Sequence, residues 1–113
     1  MAYDEQLADR IRDALVGEEG VNERKMFGGL AFKVDGHMIC GVVGDDLMLR
    51  LGPGGADDAL ERSHVRPMDF TGRPMTGMVF VEPAGVRGVA LQNWLRRAVA
   101  FARSLPPKQP TRR

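Results

Sequence analysis

Leu30-Ala31-Phe32-Lys33-Val34-Asp35-Gly36-His37-Met38-Ile39-Cys40-Gly41-Val42-Val43 is the stretch that decides the fold. Leu30, Phe32 and Val34 alternate with Ala31 and Lys33, the period-two pattern of a strand with one buried face. A second run extends from His37 to Val43. Asp35-Gly36 stands between them, and an Asp-Gly pair suits a type I′ turn, which needs positive φ at both central positions. A two-residue loop there sets Val34 opposite His37, Phe32 opposite Ile39 and Leu30 opposite Gly41. Leu30, Phe32, Val34 and Ile39 then share one face, and Ala31, Lys33, Met38 and Cys40 the other. Upstream, residues 25–34 read as a single strand, in which Gly28-Gly29 marks a bulge or a close backbone approach.

On either side the pattern turns helical. Leu7, Ile11, Ala14 and Leu15 form one apolar stripe over residues 4–16, with Asp4 as cap and Gly17 as stop. Leu91, Trp94, Leu95, Ala98, Phe101, Ala102 and Leu105 do the same over 90–104, and Pro106-Pro107 ends that helix. Leu47, Leu49 and Leu51 alternate as a third strand. Gly52-Pro53-Gly54-Gly55 closes it, and Ala56 to Arg62 forms a short helix. Residues 63–76, with two prolines and a glycine, are expected to be irregular. Arg66-Pro67-Met68 and Arg73-Pro74-Met75 echo each other there at a spacing too short for a structural repeat. Met78 to Val81 is a fourth strand. The predicted class is α+β: an antiparallel four-stranded sheet, a three-strand meander plus one, with two long helices and a short helix packed on it.

A chain of 113 residues makes one domain, taken as residues 1–105, with 106–113 as a flexible basic tail. Apolar residues are 43% and charged residues 27%, ordinary for a globular protein, so no staple is needed. Asp4 and Glu5 stand where a signal peptide would need its basic and apolar regions, and no apolar run reaches membrane-spanning length. A cytoplasmic setting is expected, with no membrane partner. The net charge of +1 is unevenly spread. Residues 1–20 sum to −4, whereas residues 83–113 hold seven basic residues and no acid.

The residues that carry chemistry are sparse. His37 and His64 are the only histidines and Cys40 the only thiol. Three positions apart on a strand, His37 and Cys40 point to opposite faces, so no metal site or cofactor is expected. Cys40 in mid-strand is the position of a buried, inert thiol. Asp45-Asp46 and Asp57-Asp58 suit turn and helix-start positions better than an acid–base pair. No phosphate loop is present. Arg24-Lys25 followed by Gly28-Gly29 brings two cations beside backbone amides, a combination that can hold an anion. Phe27 and Phe32 near Arg24, Lys25 and Lys33 faintly match a base-stacking platform, though both also suit a core.

Arg24-Lys25-Met26-Phe27-Gly28-Gly29-Leu30-Ala31-Phe32, then Asp35-Gly36-His37-Met38, then Asp46-Leu47-Met48-Leu49-Arg50, resembles the N-terminal domain of the TfoX/Sxy family. Pro67-Met68-Asp69-Phe70-Thr71-Gly72-Arg73-Pro74-Met75 and the closing helix through Trp94 fit as well, so the resemblance covers roughly residues 4–105. It implies an α+β fold in a bacterial, cytoplasmic setting. It also implies a regulator of natural competence, a co-activator beside the cyclic-AMP receptor protein and not an enzyme. The family supplies no catalytic residue to carry over. Full-length members carry a second, helical C-terminal domain, and the resemblance here is to a stand-alone N-terminal type.

The leading expectation is therefore a non-catalytic, transcription-related binding module that contacts protein or DNA. Arg24, Lys25, Arg66 and Arg73 are its candidate contacts, with Gly28 and Gly29 as candidate anion-binding backbone. Arg66 and Arg73 have the alternative of pinning the irregular segment to local carbonyls. One other reading is a small-molecule or anion-binding domain with weak enzymatic activity, built on Gly28-Gly29 and the second sheet face. Another is a homo-oligomerising domain using a strand edge or the methionines, which leaves monomer and homodimer both open.

Overall fold

A computed structural model describes residues 3–26, 28–70 and 73–106, with only the backbone of 68–70 and 73–76. In chain order the elements are α1 (Glu5–Ala14), β1 (Val21–Met26), β2 (Gly29–Val34), β3 (His37–Val43), β4 (Asp46–Arg50), α2 (Gly52–Ala59), β5 (Val65–Phe70), β6 (Arg73–Val81), a short 3-10 turn at Pro83–Val86, and α3 (Ala90–Ser104). The six strands form one antiparallel sheet in the order β1-β2-β3-β4-β6-β5. The α+β class and one-sided helix packing agree with the sequence reading, but the sheet has six strands where four were expected.

The Asp35-Gly36 turn forms as anticipated, with φ of +53° and +85° and Val34 opposite His37. One residue further on, the register slips. Lys33 pairs with Met38 but Phe32 pairs with Cys40, so Ile39 is the extra residue of a bulge. Leu30 consequently faces Val42 and not Gly41, and Cys40 lies on the helix side of the sheet, contrary to expectation. The driving force is burial. The bulge lets Ile39 and Cys40, adjacent in sequence, both reach the core at 0% exposure, whereas strict alternation would turn one of them away.

Residues 25–34 are not one strand. The chain reverses between Met26 and Gly29, which pair across the turn. Gly28 carries a φ of +76°, which explains a glycine there. Gly29 has a different role: a Cβ on it would lie 2.2 Å from the Val42 carbonyl oxygen. The expected close backbone approach is real, and it joins β2 to β3. The segment expected to be irregular is also a hairpin, β5–β6. Pro67 is tolerated because β5 is an edge strand and the register shifts beside it. The two Arg-Pro-Met echoes fall on opposite arms of this hairpin. The short helix begins at Gly52, earlier than expected, because Pro53 fits its first turn.

One face of the sheet carries the core. Phe32, Val42, Leu49 and Val79 pack with Leu7 and Ile11 of α1, Ala56 and Ala59 of α2, and Leu91, Leu95 and Ala98 of α3. Asp4 caps α1 through Oδ1, which accepts from the Gln6 and Leu7 amides at 2.9 and 3.2 Å. On the face away from the helices, Met48, Met78 and Phe80 form a second, smaller buried cluster, so these methionines are not a free surface. Of the tail expected at 106–113, residues 107–113 lie outside the described residues.

The two neighbouring glycines make separable predictions. Gly29→Ala forces Cβ against a backbone carbonyl and is expected to cost about 3 kcal/mol, lowering Tm by roughly 10 °C or more. Gly28→Ala meets open space and costs only the positive-φ penalty, about 1 kcal/mol. Thermal unfolding followed by circular dichroism measures both.

Candidate functional site

The candidate residues fall into two groups, one on the β1–β2 hairpin and one on the β5–β6 hairpin, toward opposite sides of the sheet. Arg24 and Lys25 lie on β1, one edge strand, and Arg66 lies on β5, the other. Five strand spacings separate them, about 24 Å along a flat sheet. No single flat patch gathers them.

On β1, residues Asn22 to Lys25 are exposed. Arg24 pairs with Ala31, so it takes the face away from the helices, and Lys25 pairs with Leu30, so it takes the helix side. Neither forms an ion pair with another described residue. Glu23, their neighbour, is engaged. It accepts a two-pronged hydrogen bond from Arg12, with Nε 2.6 Å from Oε2 and Nη2 2.9 Å from Oε1, and this clamps the edge strand to α1. The Arg12 guanidinium holds the Glu23 carboxyl below the usual carboxylate range, and Glu23 in turn raises the arginine. Gly28 is exposed beside this strand, while Gly29 is buried and belongs to the ladder. Turn geometry and packing account for both glycines. Phe27 lies outside the described residues, and Phe32 is fully buried, so it offers no stacking platform.

Arg66 is committed within the molecule. Its guanidinium stacks 4.6 Å from the Phe80 ring centroid and donates from Nη2 to Asp46 Oδ2, while Nε lies 3.7 Å from Glu82 Oε2. His64 Nδ1 sits 3.9 Å from the other oxygen of Glu82. Arg66 therefore ties β5 to its neighbours, as the alternative to a partner contact had it, but through carboxylates and not local carbonyls. Arg73 pairs through its backbone with Phe70, and its side chain lies outside those described.

The basic C-terminal third is partly neutralised in the fold. Arg103 donates to Glu18 at 2.9 Å and to Asp35 at 3.1 Å, and Arg97 donates to Asp58 at 3.0 Å. Arg97 belongs to a cluster that the sequence reading missed, with Arg62 on the Trp94 indole. The three-residue spacing of Trp94 and Arg97 on a helix was its one readable signal. Cys40 is buried, and burial pushes its thiol upward, away from the reactive thiolate. Among the described residues, no three of His, Cys, Asp and Glu gather as metal ligands, and no helix is long and apolar enough to cross a membrane.

A six-stranded antiparallel sheet, roofed on one face by helices, defines a small α+β domain of the one-sided, two-layer class. Within that class, the chain belongs to the TfoX N-terminal domain family, whose model matches residues 13–102, from the last turn of α1 almost to the end of α3. Comparison with curated proteins and with solved structures returned no match.

Two measurements follow from this geometry. Because the Glu23 carboxyl is lowered in the folded chain, its pairing with Arg12 stabilises fully above the ordinary glutamate value of ~4.3 and is lost as pH falls below it. The stability difference between the wild type and Glu23→Gln, expected to be under ~1 kcal/mol for so exposed a pair, should therefore shrink on acidification. Arg66→Ala removes stacking and ion pairing together, and is expected to destabilise the fold by about 1 kcal/mol in urea titrations.

Proposed function

We propose that this domain is a non-catalytic regulatory binding module, a transcription-related co-regulator that docks a protein partner along the β1 edge. The family's association with competence regulation supports a regulatory role. The observation that carries the docking surface is the state of β1. It is an exposed edge strand, clamped from behind by Arg12, and it presents Arg24 and Lys25 without counter-ions among the described residues. An acidic segment of a partner fits such an edge. Backbone groups along the strand can pair with it, and the two cations can supply charge-assisted contacts. Arg66, already held by Asp46 and Glu82, is a poorer contact.

The test is the affinity of the chain for the macromolecule that co-purifies with it, measured at low and high salt. Arg24→Ala with Lys25→Ala is expected to weaken binding roughly tenfold or more, about 1.4 kcal/mol, and to flatten its salt dependence. Arg66→Ala should leave the affinity within about twofold despite its effect on stability. Unchanged binding after charge removal at 24 and 25 would reject this surface.

A further inference from the structure

The cleft beside Trp94 is not used by the contact proposed above. It is bounded by Arg62 and Ser63 after α2, by Gly85 of the 3-10 turn, and by Asn93, Trp94 and Arg97 of α3, and it has a volume of about 200 Å³. The indole is oriented by its Nε1–H, which donates to the Gly85 carbonyl at 3.2 Å. Two guanidiniums pack on that ring, Arg62 at 5.5 Å and Arg97 at 5.2 Å from its centroid. One carboxylate oxygen serves both: Asp58 Oδ2 lies 3.0 Å from Arg97 Nη2 and 3.8 Å from Arg62 Nη2. The cluster thus keeps a surplus positive charge. Arg97 Nη1 is buried and has no hydrogen-bond partner among the described residues.

A buried charged donor without an acceptor is costly, and such groups are rare unless something satisfies them. We propose that this cleft binds the phosphate group of a small molecule, held between Arg62 and Arg97 against the Trp94 indole. Two guanidinium forks from separate parts of the chain can address different oxygens of a tetrahedral anion, whereas one fork already fills a carboxylate. Ser63 and Asn93 add neutral hydrogen-bonding groups at the wall. The volume is below the ~300 Å³ at which ordinary ligand clefts begin, so it suits a charged head group with the rest of the molecule outside. Arg97, with its side chain 32% exposed, is the more enclosed of the two cations, and Arg62, at 58%, the more open. This site does not rest on the β1 contact.

Trp94 is the chain's single tryptophan, so its fluorescence reports on this cleft alone. The full chain is titrated at constant ionic strength with inorganic phosphate and with glycerol phosphate, and separately with acetate and chloride. A saturable change with a midpoint at or below ~1 mM is expected for the phosphates. Arg62→Gln and Arg97→Gln should weaken it at least about tenfold. Arg96→Gln, one residue away and facing the α1 groove, should leave it unchanged. Tighter binding of the ester identifies an organic phosphate as the source, and tighter or equal binding of the inorganic ion identifies free phosphate; either result upholds the site. The absence of a saturable change, an equal response to acetate or chloride, or full binding by Arg62→Gln overturns the proposal. Arg62 lies outside regular structure, so that variant still gives a decision if Arg97→Gln does not fold.

Discussion

The β2–β3 hairpin sets the positions of the rest of the sheet. Positive φ at Asp35 and Gly36 starts the ladder, and the extra residue at Ile39 then shifts every later pair by one. With that shift, Cys40 and Val42 join Phe32 and Leu30 on the helix side, and β4 follows with Leu47 and Leu49. Without it, one side chain of the Ile39-Cys40 pair would leave the core, and the surface that receives α3 would lose its continuity. Position 41 shows the same constraint from the other face. Gly41 stands opposite Met48, and a Cβ there would lie 2.8 Å from the Met48 methyl, so the second apolar cluster closes over a residue with no side chain.

Electrostatics play a different part at each edge. Arg12 and Glu23 fasten β1 to α1, and Arg66 fastens β5 to Asp46 and Glu82. Arg103 joins the end of α3 to Glu18 before β1 and to Asp35 in the β2–β3 turn. These pairs are exposed and individually weak, so their value lies in positioning more than in stability. What they leave over is informative. Arg24 and Lys25 have no ion-pair partner among the described residues, and the Trp94 cluster keeps two guanidiniums on one carboxylate. The charged edge of β1 and the proline in β5 also discourage indiscriminate strand pairing.

Much of the fold was legible because burial leaves a period. α1 and α3 show it at helical spacing, and β2, β4 and the end of β6 show it at strand spacing. The two missed strands are the two edges, and there the signal is physically absent. Val21-Asn22-Glu23-Arg24-Lys25-Met26 is exposed through its middle, so alternation has nothing to record. In β5, Pro67 reads as a breaker although an edge strand tolerates it. The bulge at Ile39 is silent because both candidates for the inward position are apolar. Exposure at Arg24 and Lys25 was readable from local charge. The engagement of Arg66 was not, because Asp46 lies 20 residues away and meets it only once β6 pairs with both β4 and β5. Arg62 reaches Trp94 by a similar long-range route.

The strand order also bears on how the chain reaches this state. β1 to β4 are laid side by side in the order in which they occur, and β5 pairs with the β6 that follows it. Only β6 against β4 skips a strand, closing a loop through α2 and β5. A sheet assembled from successive hairpins incurs little loop-closure entropy before its contacts form, which favours rapid collapse. The longer loop closure is the step that seats β6, together with the α3 that follows it, onto a four-strand meander. That step joins two locally formed units and completes the core.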